Sequence, residues 1–205
     1  MRKLLFGVAI NDADYTVRVK ETVGYVDGKQ KQKTVWMCPF YATWSDMLRR
    51  CYSESLKSEF PTYRDASVCE EWLRLSTFTA WMESQDWEGM QLDKDLLFPG
   101  NKLYGPETCV FVSRQVNMFM IEQQSTKSKL PIGVRQYKDS NRFQARCSNL
   151  GKGSVHLGMF DSADLAHKAY WAYKCGLAAE LASSQTNQRV ANALLRRYST
   201  DRFKE

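Results

Sequence analysis

The sequence predicts an α+β protein in which a strand-strand-helix body precedes a three-stranded antiparallel sheet packed on one helix. Three patterns carry that expectation. Apolar and polar residues alternate with a period of two from Arg142 to Ser148 and from Ser154 to Met159. They recur at helical spacing from Trp44 to Cys51 and from Ala166 to Leu177. Between Gln91 and Gln124 a short strand, a glycine-containing loop, a second strand and a capped helix follow one another. A chain of 205 residues that is 43% hydrophobic can fill one or two small cores.

Residues 1–34 read as a β-rich arm. Met1 to Ile10 starts basic and apolar but turns polar at Asn11-Asp12 without a small-residue cleavage site, so it is expected as a strand and not as a leader. Tyr15, Val17 and Val19 alternate with polar residues, and Asp27-Gly28 is a hairpin turn between two strand-like runs. Residues 35–126 form the body. Trp44, Met47, Leu48 and Cys51 share one helical face, and Pro61-Thr-Tyr interrupts. Val68 to Met82 resumes with Trp72, Leu73, Phe78 and Trp81, and Ser76 is a candidate cap between two short helices. Tryptophans that keep helical spacing among other apolar residues are core residues.

The stretch Leu92-Asp-Lys-Asp, the loop ending Leu-Tyr-Gly-Pro-Glu-Thr, and Cys109-Val-Phe-Val-Ser-Arg-Gln-Val-Asn predict strand, loop, strand and helix, with Ser113 as N-cap. Asn117 then lies near the first helical turn, where its amide can reach back towards Asp93. Two oxygen ligands of this kind suit a hard divalent ion, Mg²⁺ or Mn²⁺, with phosphate and water completing the octahedron. Ser125 to Lys129 is polar and basic and reads as a linker.

In residues 127–180, Phe143, Ala145 and Cys147 alternate with Arg142, Gln144, Arg146 and Ser148. Val155, Leu157 and Met159 alternate with Ser154 and His156. Asp161 or Ser162 can cap the following helix, and Ala166, Ala169, Tyr170, Tyr173 and Leu177 can pack on the apolar side. Arg135, Arg142, Gln144, Arg146, Ser148, Ser154 and His156 are left facing outward. Arginine and glutamine on a flat sheet suit the edges of guanine and adenine in a major groove. Residues 181–205 contain a further helix, Gln185 to Tyr198, bearing Arg189, Arg196 and Arg197.

Charge is unevenly distributed. Residues 127–205 hold 14 Lys and Arg against 6 Asp and Glu, a net of +8, whereas residues 1–126 hold 15 against 17, a net of −2. A basic C-terminal module fits a polyanion, here double-stranded DNA. Cysteines 38, 51, 69, 109, 147 and 175 contain no Cys-x-x-Cys pair, which points to a reducing, cytoplasmic setting. A zinc site from Cys38, Cys51, Cys69 and Cys109 would lack the paired spacing of zinc knuckles. No stretch is apolar enough to span a bilayer.

Two resemblances sharpen these expectations. Gly133-Val-Arg, the aromatic opening of the second strand, Leu157-Gly-x-Phe-Asp and Ala163-x-x-Ala-x-x-Ala-Tyr resemble the plant APETALA/ethylene-response DNA-binding domain. The resemblance implies that Arg135, Arg146, Ser148, Ser154 and His156 are reading positions. His156 stands where that family has tryptophan, and Ser148 and Ser154 stand where arginines are common.

Trp44-x-x-Met-Leu-x-Arg-Cys-Tyr, Pro61-Thr-Tyr, Val68-Cys-Glu-Glu-Trp-Leu and the strand-loop-strand-helix stretch resemble phage-encoded, homing-like HNH endonucleases. That resemblance implies a metal-dependent DNA endonuclease or nickase with Asp93 and Asn117 as metal ligands. The family's histidine base is replaced by Lys94, whose ordinary pKa of about 10.4 suits a phosphate contact better than proton abstraction. The alternative implied by the missing histidine is an inactive HNH-derived DNA-binding regulator or host-interaction protein.

Overall fold

A computed structural model of the chain describes residues 4–121, 129–137 and 140–200. The fold is α+β and divides into two compact units, Met1–Phe111 and Val112–Glu205.

In the first unit, β1 (Arg18–Val26) and β2 (Lys29–Met37) form an antiparallel ribbon around the Asp27-Gly28 turn. Both turn residues have positive φ, 50° and 72°, as a tight hairpin of this hand requires. Helix α1 (Pro39–Tyr52) starts at a proline, where a missing amide costs nothing, and buries Trp44, Met47, Leu48 and Cys51 as its spacing predicts. A short α2 (Glu54–Glu59) leads to the Pro61–Tyr63 turn.

The stretch from Val68, expected as two short helices, contains a single α-helix. Ser67–Val68 forms β3, Glu70–Leu73 a tight 3-10 turn, and only Leu75–Glu83 is α-helical, α3. Ser76 lies inside the first turn of α3. Its amide and hydroxyl donate to Asp12 Oδ1 and Oδ2 at 2.9 and 2.7 Å, so the cap comes from the N-terminal segment. That segment is not a regular strand. Leu5 and Ala9 bridge each other, and Ile10 exchanges backbone hydrogen bonds with Leu73 and Leu75.

Short strands β4 (Gln91–Asp93), β5 (Leu103–Tyr104) and β6 (Val110–Val112) complete the unit, with β5 parallel to β3 and β4 paired with β6. Its core is aromatic. Trp72 meets Phe78 edge-on at 5.1 Å and Trp81 at 4.5 Å, and Trp81 stacks on Phe111 at 5.6 Å. Trp44 Nε1 donates to the Trp72 carbonyl at 2.7 Å, which satisfies the polar edge of a fully buried indole.

The second unit opens with α4 (Arg114–Met120), capped by Ser113 Oγ accepting from the Val116 amide at 3.2 Å. The antiparallel sheet is β7 (Val134–Gln136), β8 (Phe143–Ser148) and β9 (Ser154–Phe160) in that order. Helix α5 (Ala163–Ser183), capped by Ser162, lies against all three strands, and α6 (Gln188–Arg197), capped by Asn187, packs on α5.

The division between units falls before α4, upstream of the stretch read as a linker, of which residues 125–128 lie outside the described residues. The reason is packing. Lys174 of α5, 7% exposed, donates from Nζ to the Phe119 carbonyl at 2.6 Å and sits 3.7 Å over the Phe119 ring, and Phe119 also meets Tyr198 edge-on. Residues beyond 180 likewise belong to this core, since Val190, Ala193, Leu194 and Tyr198 are buried and Trp171 Nε1 donates to Ser199 O. Among the described residues no helix is long and apolar enough to cross a membrane.

Candidate nucleic-acid interface

The sheet of the second unit has one covered and one open side. Ala145 and Cys147 point to α5 and are almost wholly buried with Ala166, Tyr170 and Leu177. The close approach of α5 depends on Gly133. It has φ +80°, and a Cβ there would fall within the Tyr170 ring. His167 Nδ1 lies 2.9 Å from Ile132 O and its ring stacks on Tyr170, so this histidine fixes the entry to β7.

On the open side the pairing places residues in rows. Arg135 faces Gln144, Gln144 faces Met159, Arg146 faces His156 and Ser148 faces Ser154. Arg135, Arg142, Arg146, Ser148, Ser154 and His156 are exposed, and Gln144 is half-buried. Arg146, in the middle strand, donates its backbone amide to Gly133 O at 2.9 Å, which fixes it beside β7. Arg142 is more constrained than its neighbours, because Nη2 donates to Met159 O at 3.0 Å and Nε lies 3.4 Å from Asp161 Oδ1. It ties β8 to the end of β9.

One expected position changes side. The pairing slips between Ala145 and Arg146, so Leu157 is the extra residue of a bulge, Gly158 faces Ala145 and Met159 faces Gln144 on the open side. A bulge residue shifts every later side chain to the other face. Gly158, with φ +132°, is the signal for it, since an isolated glycine within a strand marks a bulge. The open side therefore carries Met159, half-buried, beside its hydrogen-bond donors.

A cleft of about 590 Å³ also opens within this unit, lined by Phe119, Ile132, Tyr170 and Lys174. Of the predicted residues only Ser148 borders it.

The metal-ligand candidates Asp93 and Asn117 belong to different units. Asp93, at the end of β4, accepts the amides of Asp95 and Leu96 on Oδ1 at 2.9 and 2.6 Å, which builds the turn that follows. Burial pushes its carboxyl up from the ordinary range, although the two amides oppose that shift. Both bonds fall on Oδ1; among the described residues none is seen to its second oxygen, Oδ2.

Lys94 is not an exposed phosphate contact. It is 6% exposed, and Nζ donates to Asp95 Oδ1 at 2.7 Å and to Asn101 O at 2.8 Å, while its own carbonyl accepts from Asn101 Nδ2. Its ammonium also lies 5.9 Å from the centre of the Tyr104 ring, and with its Asp95 ion pair it braces the loop from Asp95 to Asn101.

Asn117 lies in α4, its backbone N–H donating to Ser113 O at 3.0 Å. Cys38, Cys51 and Cys109 are buried, and burial pushes the Cys51 and Cys109 thiols up to about 12. Among the described residues no three His, Cys, Asp or Glu side chains gather as a metal group.

No family model, curated protein or solved structure matches the chain.

Proposed function

We propose that this protein binds double-stranded DNA through the open face of the β7-β8-β9 sheet. One observation supports this most directly. Arg135, Arg146, Ser148, Ser154 and His156 share an uncovered sheet face with Gln144, while α5 occupies the opposite face. Arg135 and Arg146 are the groups offered to guanine edges or phosphates. Gln144 and the serines offer shorter-range hydrogen bonds, and Met159 offers apolar contact to a thymine methyl. Arg142 serves chiefly to hold β9 in place.

Fluorescence anisotropy with a random-sequence duplex tests this reading. Arg135→Ala and Arg146→Ala should each weaken binding several-fold and lower the slope of log affinity against log salt by about 0.9 for each phosphate no longer neutralised. Affinity left unchanged by both substitutions would remove the sheet from the interface.

A metal-dependent endonuclease is the second reading, favoured by the order β4, β6 and capped α4, and by the Asp93 oxygen that remains outside the turn. In this reading Asp93 is a ligand for Mg²⁺ or Mn²⁺, whose positive charge would also favour the ionised carboxylate against its burial. The ion would stabilise negative charge developing at a phosphodiester. Lys94 keeps its structural place as a brace and takes no proton.

Supercoiled plasmid with Mg²⁺ or Mn²⁺ separates the two. Nicking by wild type that is abolished in Asp93→Ala and in Asn117→Ala supports the enzyme. Intact binding without nicking leaves a DNA-binding protein alone.

A further inference from the structure

The β1-β2 ribbon of the first unit is exposed on both sides, and its make-up is unusual for a free hairpin. Each strand has nine residues, and Val19, Val23, Tyr25, Val26, Val35 and Trp36 are between 42% and 69% exposed. Two strands without a covering layer are marginally stable in water, so apolar side chains displayed in this way indicate a surface that another molecule completes.

Charge decides which molecule. From Arg18 to Met37 there are five Lys and Arg against two Asp and Glu, a net of +3. Lys29, Lys31 and Lys33 alternate along β2 and therefore share one face, spaced by about 6.6–6.8 Å. None of the three forms an ion pair with a described residue. Their partners across the ribbon are Val26, Gly24 and Glu21, so this face carries one acid against three ammonium groups. The Val19-Trp36 pair continues the same face towards the ribbon base.

We infer that the β1-β2 ribbon is a second DNA-contacting surface, laying its lysine row along the phosphate backbone of a duplex. A row of point charges on an extended strand follows a line of phosphates without reading bases. The flanking apolar side chains pack against sugars. A two-stranded ribbon is also narrow enough to lie at a major groove about 12 Å wide. The surface is separate from the β7-β8-β9 face and adds a sequence-independent term to binding.

The test compares full-length wild type with Lys29→Ala/Lys31→Ala/Lys33→Ala and with the corresponding triple arginine variant, in duplex titrations from low to high salt. The alanine variant should bind about ten-fold or more weakly at low salt, and its salt slope should fall by about 2–3. The arginine variant should retain both. Near-ultraviolet circular dichroism checks that the tryptophan core is unaltered.

Equal slopes for the alanine variant and wild type would overturn the inference. So would a change confined to self-association in sedimentation, which would make a second copy the occupant, or one confined to anionic vesicles. Arg135→Ala/Arg146→Ala in the same titrations reports on the sheet separately, so the failure of either surface is visible without the other.

Discussion

Single residues in this protein hold distant segments together, and two of them make sharp predictions. Gly133 combines a positive φ with a site where any side chain would enter the Tyr170 ring. Gly133→Ala should therefore destabilise the second unit by about 2–4 kcal/mol, through backbone strain and overpacking together, as read by urea denaturation. Asp12 caps α3 across a long sequence separation. Its burial opposes ionisation, but the Ser76 amide and hydroxyl and the Arg74 guanidinium outweigh that and hold its carboxyl below the ordinary range.

A depressed folded-state pKa means that the contribution is complete above the unfolded value, near 3.9, and disappears as pH falls through the folded one. Asp12→Ala should thus cost about 1 kcal/mol at pH 7, and the gap between variant and wild type should narrow below about pH 4. A constant gap across that range would assign the loss to packing instead of charge. Lys94 shows the same principle with the opposite lesson. A lysine that the sequence suits to a phosphate contact has its ammonium taken up by Asp95 and the Asn101 carbonyl. Nothing in the local sequence announces Asn101 as that partner.

Among the elements, those with strong periodicity were legible. The α1 face of Trp44, Met47, Leu48 and Cys51, the Asp27-Gly28 hairpin, the Ser113 and Ser162 caps and the three-stranded sheet all follow from spacing and turn chemistry. What spacing could not supply was tertiary. The 3-10 turn at Glu70–Leu73 exists because the chain must redirect Trp72 beneath Trp44, and α3 takes its cap from Asp12 instead of from its own first turn. On the candidate interface, alternation placed the arginines, Ser148, Ser154 and His156 on the outer side but put Met159 on the wrong one, because the Leu157 bulge breaks the count.

This makes Met159 a direct probe of register. On the open face, Met159→Gln should cost less than about 1 kcal/mol, against about 2–5 kcal/mol for removal of a core methionine side chain. Met159→Glu should leave the fold intact and weaken duplex binding by placing an acid beside Gln144. A large loss of stability in the glutamine variant would return Met159 to the covered side.

At the scale of the whole molecule, positive charge is unevenly divided along the chain. The chain carries a formal net charge of +6, and the C-terminal excess lies in the unit whose sheet has one face against α5 and the other in solvent. The proposed contacts run through Arg135 and Arg146 and not through a metal, so removing divalent ions should leave DNA affinity unchanged. The salt dependence of duplex binding tests the central claim most directly, measured for wild type and Arg135→Ala/Arg146→Ala between about 50 and 200 mM salt. Binding through the open sheet predicts a steep wild-type slope, reduced by about 2 in the double variant, with weaker affinity throughout. A slope and affinity unchanged by the double substitution would contradict it.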